Sequence, residues 1–320
     1  MTNSVVWVTG ARGFIGKHLA GALAKSGAIV LGLGHGAWPE RAAASCGLSN
    51  WLNGDISPSN LNDLRAASGR PDAVYHLAGG SSVGAAIANP REDFVRTVAS
   101  TVELLEWARQ ESPETQLIAV SSAAVYGSGH DGLIGEAARI NPFSPYGHHK
   151  AMMESLFKSY GATYGTASVI ARLFSVYGPG LRKQLLWDTC CKLALKPPSI
   201  ELGGSGDEIR DWTYVGDAVA ALIALTRSAS AQATVVNVGS GRGTSVREIA
   251  QCLVGASHDS IGGMRTEIVF TGRSRPGDPF SLIADVSQLN ALGVHCEHTA
   301  RVGIQEYVDW FAAQQRHSAD

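Results

Sequence analysis

The sequence predicts an α/β fold in which a doubly wound parallel sheet is followed by a smaller C-terminal lobe. Short apolar runs rich in β-branched residues alternate with helical patterns through the first half of the chain, as a helix-covered parallel sheet requires. The predicted strands are Val5–Thr9, Ile29–Leu33, Ala73–Leu77, Leu117–Ser121 and Ser168–Leu173, and the clearest helices are Asp93–Arg109 and Tyr146–Tyr160. After Gly178, segments punctuated by proline and glycine replace this alternation, and the smaller lobe is expected there.

A glycine-rich turn follows the first predicted strand. Gly10, Gly13 and Gly16 are spaced G-x-x-G-x-x-G, and a helical pattern continues from them through Leu19 and Leu23. Glycine permits a tight turn and a close approach of the backbone to a pyrophosphate, which then lies on the amides of the helix N-terminus. A glycine cluster alone is weak evidence, but its place at the first strand-to-helix junction favours a dinucleotide-binding turn.

Tyr146 and Lys150 stand four residues apart behind a helix-start signal. Ser144 can cap a helix and Pro145 suits its first turn, so Tyr146 and Lys150 should lie one turn apart on one face. An ammonium there would lower the pKa of a tyrosine from about 10 towards the range of a general acid or base. The simpler interpretation is an amphipathic helix that carries the two residues by chance.

The remaining segments of interest occur in a characteristic order. They are residues 54–56 (GDI), 76–79 (HLAG), 120–127 (VSSAAVYG), 145–150 (PYGHHK), 172–180 (RLFSVYGPG), 210–217 (RDWTYVGD), 237–241 (NVGSG) and 275–278 (RPGD). With this ordered set the chain resembles the extended short-chain dehydrogenase/reductase family, whose members act on nucleotide-linked sugars. The resemblance runs nearly end to end and implies that the parallel sheet is a Rossmann sheet.

The resemblance implies roles for three polar residues. Ser122 would hydrogen-bond the reacting oxygen, Tyr146 would donate or remove its proton, and Lys150 would tune Tyr146 and hold the nicotinamide ribose. Ser121 is the competing serine, but Ser122 matches the family position four residues before Tyr126, and strand alternation turns its neighbour the other way. A hydroxyl at a strand's carboxyl end and a helix-borne phenol can converge where doubly wound sheets bind ligands.

The cofactor is expected to be a nicotinamide dinucleotide. Its predicted contacts are Gly10, Arg12, Gly13, Phe14, Ile15, Gly16, His35, Asp55, Ile56, Leu77, Ala78, Gly79, Tyr146 and Lys150. Residues 31–36 (LGLGHG) end the second strand without the carboxylate that would bind the adenosine ribose of NAD. Arg12 and Arg41 offer positive charge to a 2′-phosphate instead, which favours NADP(H). NAD(H) is the alternative, with Arg12 a solvated loop residue and His35 tolerant of NAD.

Arginines are the predicted partners of a nucleotide diphosphate, which needs bidentate cationic groups. Arg210 and Arg275 match positions that clamp the diphosphate in related enzymes. Arg182 or Lys183 can contribute as well. Each of them has the alternative of being an ordinary surface residue.

Three serines are predicted to contact the substrate at the sugar end of the pocket. Ser82 lies in a loop expected to shape the pocket, and Ser175 and Ser122 complete the predicted substrate contacts. Two departures from the family pattern occur: Ser175 and Thr97 both stand where relatives usually carry asparagine.

The reaction type is narrowed by two alanines. Sugar 4,6-dehydratases resemble this chain but carry an Asp-Glu pair directly after the catalytic hydroxyl, where this chain has Ala123 and Ala124. Because alanine transfers no proton, dehydration is disfavoured. A 4-ketoreductase that reduces a nucleoside-diphosphate-4-keto-6-deoxyhexose with NADPH is the favoured interpretation. A 4-epimerase with tightly bound NAD is the alternative, and a non-catalytic NADP-binding regulator is a third.

Composition excludes several other classes. A net charge of −2 without a basic block argues against nucleic acid, and no apolar run reaches membrane-spanning length. The five cysteines form no C-x-x-C pair, and the histidines are scattered, so neither a disulfide framework nor a metal site is predicted. Because the N-terminus enters a strand without a signal peptide, a cytoplasmic enzyme is expected.

Two interleaved domains and a homodimer complete the expectations. Residues 1–174 would bind the dinucleotide, with a returning segment near 212–250 that contains a strand at Val235–Val238, and residues 175–320 would mainly bind the nucleotide sugar. Relatives commonly dimerise through the two predicted helices. Apolar positions that would allow this are Val98, Val102, Leu105, Met153, Leu156 and Phe157, which can equally face their own sheet.

Overall fold

Strands and helices alternate along most of the chain in the computed structural model, which describes residues 3–261, 266–273 and 279–317. The strands are β1 (Val5–Thr9), β2 (Ile29–Gly34), β3 (Asn50–Asn53), β4 (Ala73–His76), β5 (Gln116–Ser122), β6 (Leu133–Ile134), β7 (Ser168–Leu173), β8 (Ser175–Tyr177), β9 (Ser199–Leu202), β10 (Ile209–Tyr214), β11 (Thr234–Val238), β12 (Gly243–Ser245), β13 (Glu267–Phe270) and β14 (Ser281–Ala284). The helices are α1 (Phe14–Lys25), α2 (Glu40–Ser45), α3 (Pro58–Ser68), α4 (Val83–Ala88), α5 (Pro90–Phe94), α6 (Ser100–Glu111), α7 (Pro145–Tyr164), α8 (Gln184–Ala194), α9 (Val215–Leu225), α10 (Val246–Ile261), α11 (Ser287–Ala291) and α12 (Ala300–His317). Between α5 and α6, Val95–Ala99 form a π-helix.

The larger sheet has seven strands in the order β11-β7-β5-β4-β1-β2-β3. All its pairings are parallel, which confirms the predicted doubly wound α/β fold. The chain moves outward from β1 through β2 and β3 on one side and through β4 and β5 on the other. The strand order therefore reverses between β1 and β4, and such a switch point opens a crevice at the carboxyl ends of the strands.

Strand β1 shows how the sequence builds the layers on both faces of this sheet. Val6 and Val8 point into one apolar cluster, which α1 and α9 cover, whereas Trp7 points into a second cluster. Helices α3, α6 and α7 cover that second face, with Leu104 and Phe157 fully buried there. Because both faces are buried, β1 is a continuous apolar run without polar alternation.

The C-terminal part of the chain adds a smaller apolar cluster. Helices α8, α10 and α12 surround it, and Tyr307 and Phe311 are fully buried within it. Phe14 packs against both this cluster and the α1–α9 side of the larger sheet, so it joins the two parts. Strand β11 pairs with β7, so the chain returns to the larger sheet after leaving it. The assignment of the two parts to cofactor and substrate stays a prediction.

A buried ion pair joins the larger sheet to α7. Arg172 on β7 donates from Nε and Nη2 to the Glu154 carboxylate, at 2.9 and 2.6 Å, and both side chains are at most 2% exposed. Ser121 donates to the same carboxylate at 2.6 Å, and Arg172 also donates to the Tyr126 hydroxyl at 2.9 Å. That hydroxyl donates in turn to Asn237 on β11. The network therefore fixes α7 against three neighbouring strands.

We predict that Arg172→Met destabilises the protein by about 3–5 kcal/mol, because it leaves the Glu154 carboxylate buried and unpaired. Urea unfolding measures this cost. Arg172→Met combined with Glu154→Met should recover most of the loss. Arg65→Met, which breaks the half-exposed pair with Glu111, is the control and should cost at most about 1 kcal/mol. Equal costs for the two arginines would contradict the prediction.

Candidate active site

The glycine turn after β1 lies directly at the crevice. Gly10 has φ of +71° and its amide donates to the Leu33 carbonyl at 2.7 Å, while a Cβ there would lie 2.9 Å from the Ala78 amide nitrogen. A Cβ on Gly16 would lie 2.4 Å from the Gly10 carbonyl oxygen, so only glycine fits. Gly13 is the N-cap of α1 and no side chain caps that helix. The first amides of α1 are thus presented without a protein side chain in front of them, as pyrophosphate binding requires.

The loop after β4 lies beside this turn and carries the predicted residues Leu77, Ala78 and Gly79. The Ala78 amide donates to the Thr9 hydroxyl at 3.2 Å. One residue past Gly79, the Gly80 amide donates to Thr97 Oγ1 at 2.8 Å. Thr97 is fully buried and lies in the π-helix. Short π-helical segments are frequent at functional sites. The hydroxyl that replaces the family's usual asparagine thus holds the backbone of this loop.

Helix α7 begins as the sequence predicts. Ser144 caps it by accepting from the Gly147 amide at 3.2 Å, and Pro145 occupies its first turn. Tyr146 hydrogen-bonds the Ser122 side chain, and Lys150, one turn further on, is 3% exposed. Phenol, hydroxyl and ammonium therefore meet at the carboxyl edge of β5.

The two candidate serines point in opposite directions. Ser122 ends β5, half-buried, and its oxygen accepts from the Ala124 amide at 3.2 Å as well as bonding Tyr146. Ser121 is buried on the other face, where it donates to Glu154. The geometry supports Ser122 as the serine of the site.

Burial is the largest influence on the pKa values of Lys150 and Tyr146. It lowers the pKa of Lys150 to about 8, against the opposing effect of the Asp93 and Glu154 carboxylates. It also raises the pKa of Tyr146 above its usual value, and the hydrogen bond from Ser122 offsets only part of this. The sequence-based expectation of a lowered tyrosine pKa is therefore wrong for this structure. The Lys150 ammonium donates to the Val120 carbonyl at 2.9 Å. Burial of the Tyr146 phenol outweighs the attraction between the ammonium and a phenolate on which the expectation rested.

His76 lies below this group of residues and is uncharged. Its ring nitrogens bond the Thr9 and Thr101 hydroxyls at 2.9 and 3.0 Å. Complete burial, with a smaller effect from the Lys150 charge, lowers its pKa to about 3. His76 therefore supports β4 and the glycine turn without adding a second cation.

The opposite end of the crevice, beyond β2 and β3, carries Arg12, His35, Asp55 and Ile56. Arg12 lies over Gly36, where a Cβ would be 2.2 Å from Nη1 of the guanidinium. His35 Nε2 lies 3.0 Å from an oxygen of Asp55, and both side chains are exposed. Ile56 is buried against the α3 side of the sheet. Asp55 thus brings to the end of β2 a carboxylate that the β2 sequence itself lacks.

The predicted substrate residues are more scattered. Ser82 caps α4, Ser175 begins β8, and Arg210 on β10 donates to the Ile209 and Phe280 carbonyls. Arg182 is directed elsewhere: it donates to Gln314 and lies 5.7 Å from the ring centres of Trp187 and Trp310. Arg275 lies outside the described residues.

Lys183, rather than Arg182, reaches the crevice. Its ammonium donates to the Ser81 carbonyl at 2.8 Å, so it joins the segment before α8 to the loop that carries Ser82. Burial lowers the pKa of Lys183. The structure thus brings Lys183 and Ser82 together on the rim near Gly79.

Two residues of this region have no catalytic or binding role among the residues predicted from the sequence. Asp93, which is 6% exposed, accepts a hydrogen bond from His149, with 2.5 Å between Oδ2 and Nδ1. His149 stands between Tyr146 and Lys150 in the sequence of α7. That position between two predicted catalytic residues was the signal in the sequence that could have pointed to His149. Its partner Asp93 lies 56 positions earlier, so no local pattern connects the two residues.

Comparison with known proteins agrees with the fold. Residues 6–239 match the family model described as the NAD dependent epimerase/dehydratase family. The chain belongs to this family. The UDP-glucose 4-epimerase of Azospirillum brasilense is 30% identical over 89% of this chain and 84% of its own length.

Solved structures extend the likeness over nearly the whole chain. MoeE5 in complex with UDP-glucuronic acid and NAD is 30% identical with a TM-score of 0.81, covering 97% of this chain and 99% of that one. The UDP-glucose 4-epimerase of Thermus thermophilus in complex with NAD is 28% identical with a TM-score of 0.81, covering 96% and 98%. The resemblance seen in the sequence is confirmed, and the chain is an enzyme of the short-chain dehydrogenase/reductase type.

Two kinds of feature are absent from the described residues. None of their helices combines the length and apolar character needed to cross a bilayer. They also contain no group of three or more histidine, cysteine, aspartate or glutamate side chains arranged to hold a metal ion.

We predict that Lys150→Met stabilises the fold below pH 8 by up to about 3 kcal/mol, because it removes a buried charge. The folded pKa of Lys150 lies below its unfolded value of 10.5. The wild type therefore carries the whole cost below pH 8 and regains stability as the pH rises towards 10.5. Urea unfolding between pH 6 and 10 measures the difference, with exposed Lys25→Met as control. A Lys150→Met protein that is less stable than wild type at pH 7 would contradict the prediction.

Proposed function

We propose that this chain is a nucleotide-sugar 4-epimerase that uses tightly bound NAD. The observation that carries the proposal is the convergence of Ser122, Tyr146 and Lys150 at the crevice beside the glycine turn. Relatives named as epimerases, and solved neighbours that hold NAD, support it. These findings favour the epimerase over the ketoreductase that the sequence favoured.

The residues of the crevice fit a dinucleotide. The turn of Gly10, Gly13 and Gly16 would hold its pyrophosphate, and residues 77–79 and Lys150 would line its nicotinamide half. A bound NAD would supply reversible hydride acceptance at the sugar carbon, which is the redox chemistry that inverting this carbon needs.

Proton transfer then falls to this chain's own side chains. Tyr146 removes the proton of the sugar hydroxyl as that carbon is oxidised and returns it when the carbon is reduced. The Ser122 hydroxyl bonds the same oxygen and orients it. The Lys150 ammonium stabilises the phenolate while it exists. Ala123 and Ala124 follow Ser122 and transfer no proton, which disfavours the dehydratase reaction of the family.

NADP(H)-dependent reduction of a 4-keto sugar is the second candidate. The observation that favours it is Arg12 lying over Gly36 at the end of β2, where residues 34–36 supply no carboxylate. A 2′-phosphate would meet the Arg12 guanidinium there. Against it stand Asp55, whose carboxylate lies at the same place beside His35, and the NAD held by the solved neighbours.

The nucleotide sugar would lie between the rim residues and the C-terminal part of the chain. We assign its contacts to Ser82, Ser122, Ser175 and Arg210, and we add Lys183, whose ammonium reaches the rim where Arg182 does not.

We predict that denaturing the purified protein releases close to one NAD+ per chain, and that the protein interconverts a UDP-hexose and its 4-epimer without added cofactor. Mass spectrometry and chromatography of UDP-glucose and UDP-glucuronic acid reactions measure both. Tyr146→Phe should retain the dinucleotide and lose about 10²–10⁴-fold in turnover, because the proton acceptor is gone. Empty protein that prefers NADPH would overturn the epimerase and favour the ketoreductase. Unchanged turnover by Tyr146→Phe would overturn the catalytic assignment.

We also propose that the chain forms a homodimer through the outer surface of α6 and α7. Of the six apolar positions considered for this, four are buried within the chain, namely Val98, Leu105, Met153 and Phe157, and Leu156 packs against the α7 side of the sheet. Val102 on α6 is 37% exposed, Met152 on α7 is 45% exposed, and Val95 in the π-helix before α6 is 50% exposed. We predict that Val102→Glu converts dimers to monomers in light scattering, while Val302→Glu, an exposed change on α12, does not. A wild type that is monomeric at micromolar concentration would contradict the dimer.

A further inference from the structure

A buried carboxylate lies close to the candidate catalytic residues without belonging to the expected set. Asp93 lies in α5, one residue before its end at Phe94, and only 6% of it is exposed. Its Oδ2 lies 2.5 Å from Nδ1 of His149, whose side chain is 12% exposed. The ring of Phe94 covers His149 edge-on, with 5.5 Å between ring centres. The pair is therefore held within the protein and largely shielded from water.

The other oxygen of Asp93 faces the loop after β4. A Cβ on Gly80 would lie 1.7 Å from Oδ1, so the carboxylate occupies the space that a side chain at position 80 would need. On the neighbouring residue, a Cβ on Gly79 would lie 3.4 Å from Nζ of Lys150. Two successive glycines thus accommodate the carboxylate of Asp93 and the ammonium of Lys150 on one short stretch of backbone.

We propose that Asp93, held in place by His149, is a positioning residue that favours the ammonium form of Lys150 and the protonated form of Tyr146. A negative charge in a poorly hydrated region attracts protons to every titratable group nearby. Both groups respond in that direction: the Asp93 charge raises the pKa of Lys150, against the effect of burial, and raises the pKa of Tyr146. His149 forms the hydrogen bond that fixes the carboxylate.

Other charged groups around Lys150 do not replace Asp93. Glu154 also favours the ammonium, but its carboxylate is bound by Arg172. His76 is neutral because its pKa is about 3. Lys183, at the Ser81 carbonyl, is a cation and would act in the opposite direction. Asp93 is therefore the carboxylate of this group that has no arginine or lysine bound to it in the described structure.

The consequence for the reaction rests on the proposed epimerase function. A residue that must return a proton to the sugar needs to hold that proton well, and a nearby negative charge increases its proton affinity. The same charge keeps Lys150 ionised at neutral pH although the amine is buried. One carboxylate would thus tune both partners of the proton transfer.

The test is the titration of Tyr146 in protein whose tyrosines carry ¹³C at Cζ, with its resonance assigned by its loss in Tyr146→Phe. Asp93→Asn keeps the shape of the side chain and removes the charge. We expect it to lower the titration midpoint of Tyr146 by about 0.5–1 pH unit. Glu92→Gln, which removes an exposed charge from the adjacent position, is the matched control and should leave the midpoint unchanged. His149→Gln retains a hydrogen-bond donor for Asp93, so it should lower the Tyr146 midpoint less than Asp93→Asn does.

A second variant covers the case in which Asp93→Asn does not fold. Gly80→Ala would introduce a Cβ into the space of Oδ1 and displace the carboxylate, so it should lower the midpoint in the same direction. An unchanged Tyr146 midpoint in the folded variant overturns the proposal, whatever its effect on thermal stability. The titration requires no turnover, so it gives its answer even if the epimerase assignment fails. If that assignment holds, both limbs of the kcat/KM profile of Asp93→Asn should also move to lower pH.

Discussion

The buried ion pair of Arg172 and Glu154 is the interaction on which the site geometry depends. Glu154 lies one turn beyond Lys150 on α7, and Arg172 lies on β7 beside β5. The pair therefore fixes both the rotation and the height of α7 relative to the strand that carries Ser122. A rotation of the helix by one residue, about 100°, would carry Tyr146 away from the Ser122 hydroxyl. Buried ion pairs contribute little net stability against an apolar substitute, so specificity of position is the better account of this one.

Two contacts of different kinds join the smaller part of the chain to the larger one beside the crevice. Phe14 packs into the apolar cores of both parts of the chain, next to the glycine turn. Lys183 reaches across to the Ser81 carbonyl on the far rim. The first contact is apolar, whereas the second joins one ammonium to one neutral acceptor. An anionic group at this rim could compete with the Ser81 carbonyl for the Lys183 ammonium, whereas it could not compete for the packing of Phe14.

Local patterns predicted the framework well because each depended on neighbouring residues. The strands at Val5–Thr9 and Ser168–Leu173 have the predicted bounds, and Ser144 caps α7 as expected. What the sequence could not show depends on distant packing. The rise in the pKa of Tyr146 comes from burial by the folded chain, and Arg182 turns to Trp310 and Gln314 because α12 happens to pass there. No periodicity indicates which residues pack across a fold in this way.

The π-helix at Val95–Ala99 sets how Asp93 is turned relative to the core residues of α6. A π-turn accommodates one residue more than the α-helical turn, so the residues before it and those after it face the sheet in a phase that a regular helix would not give. Asp93 precedes the wide turn, whereas Leu104 and Leu105 in the core follow it. If the same number of residues formed a regular α-helix, Asp93 would be turned by about 100° relative to Leu104 and Leu105, away from Gly80. The place of the Asp93 charge beside Lys150 therefore depends on the wide turn and not only on the residues of the catalytic set.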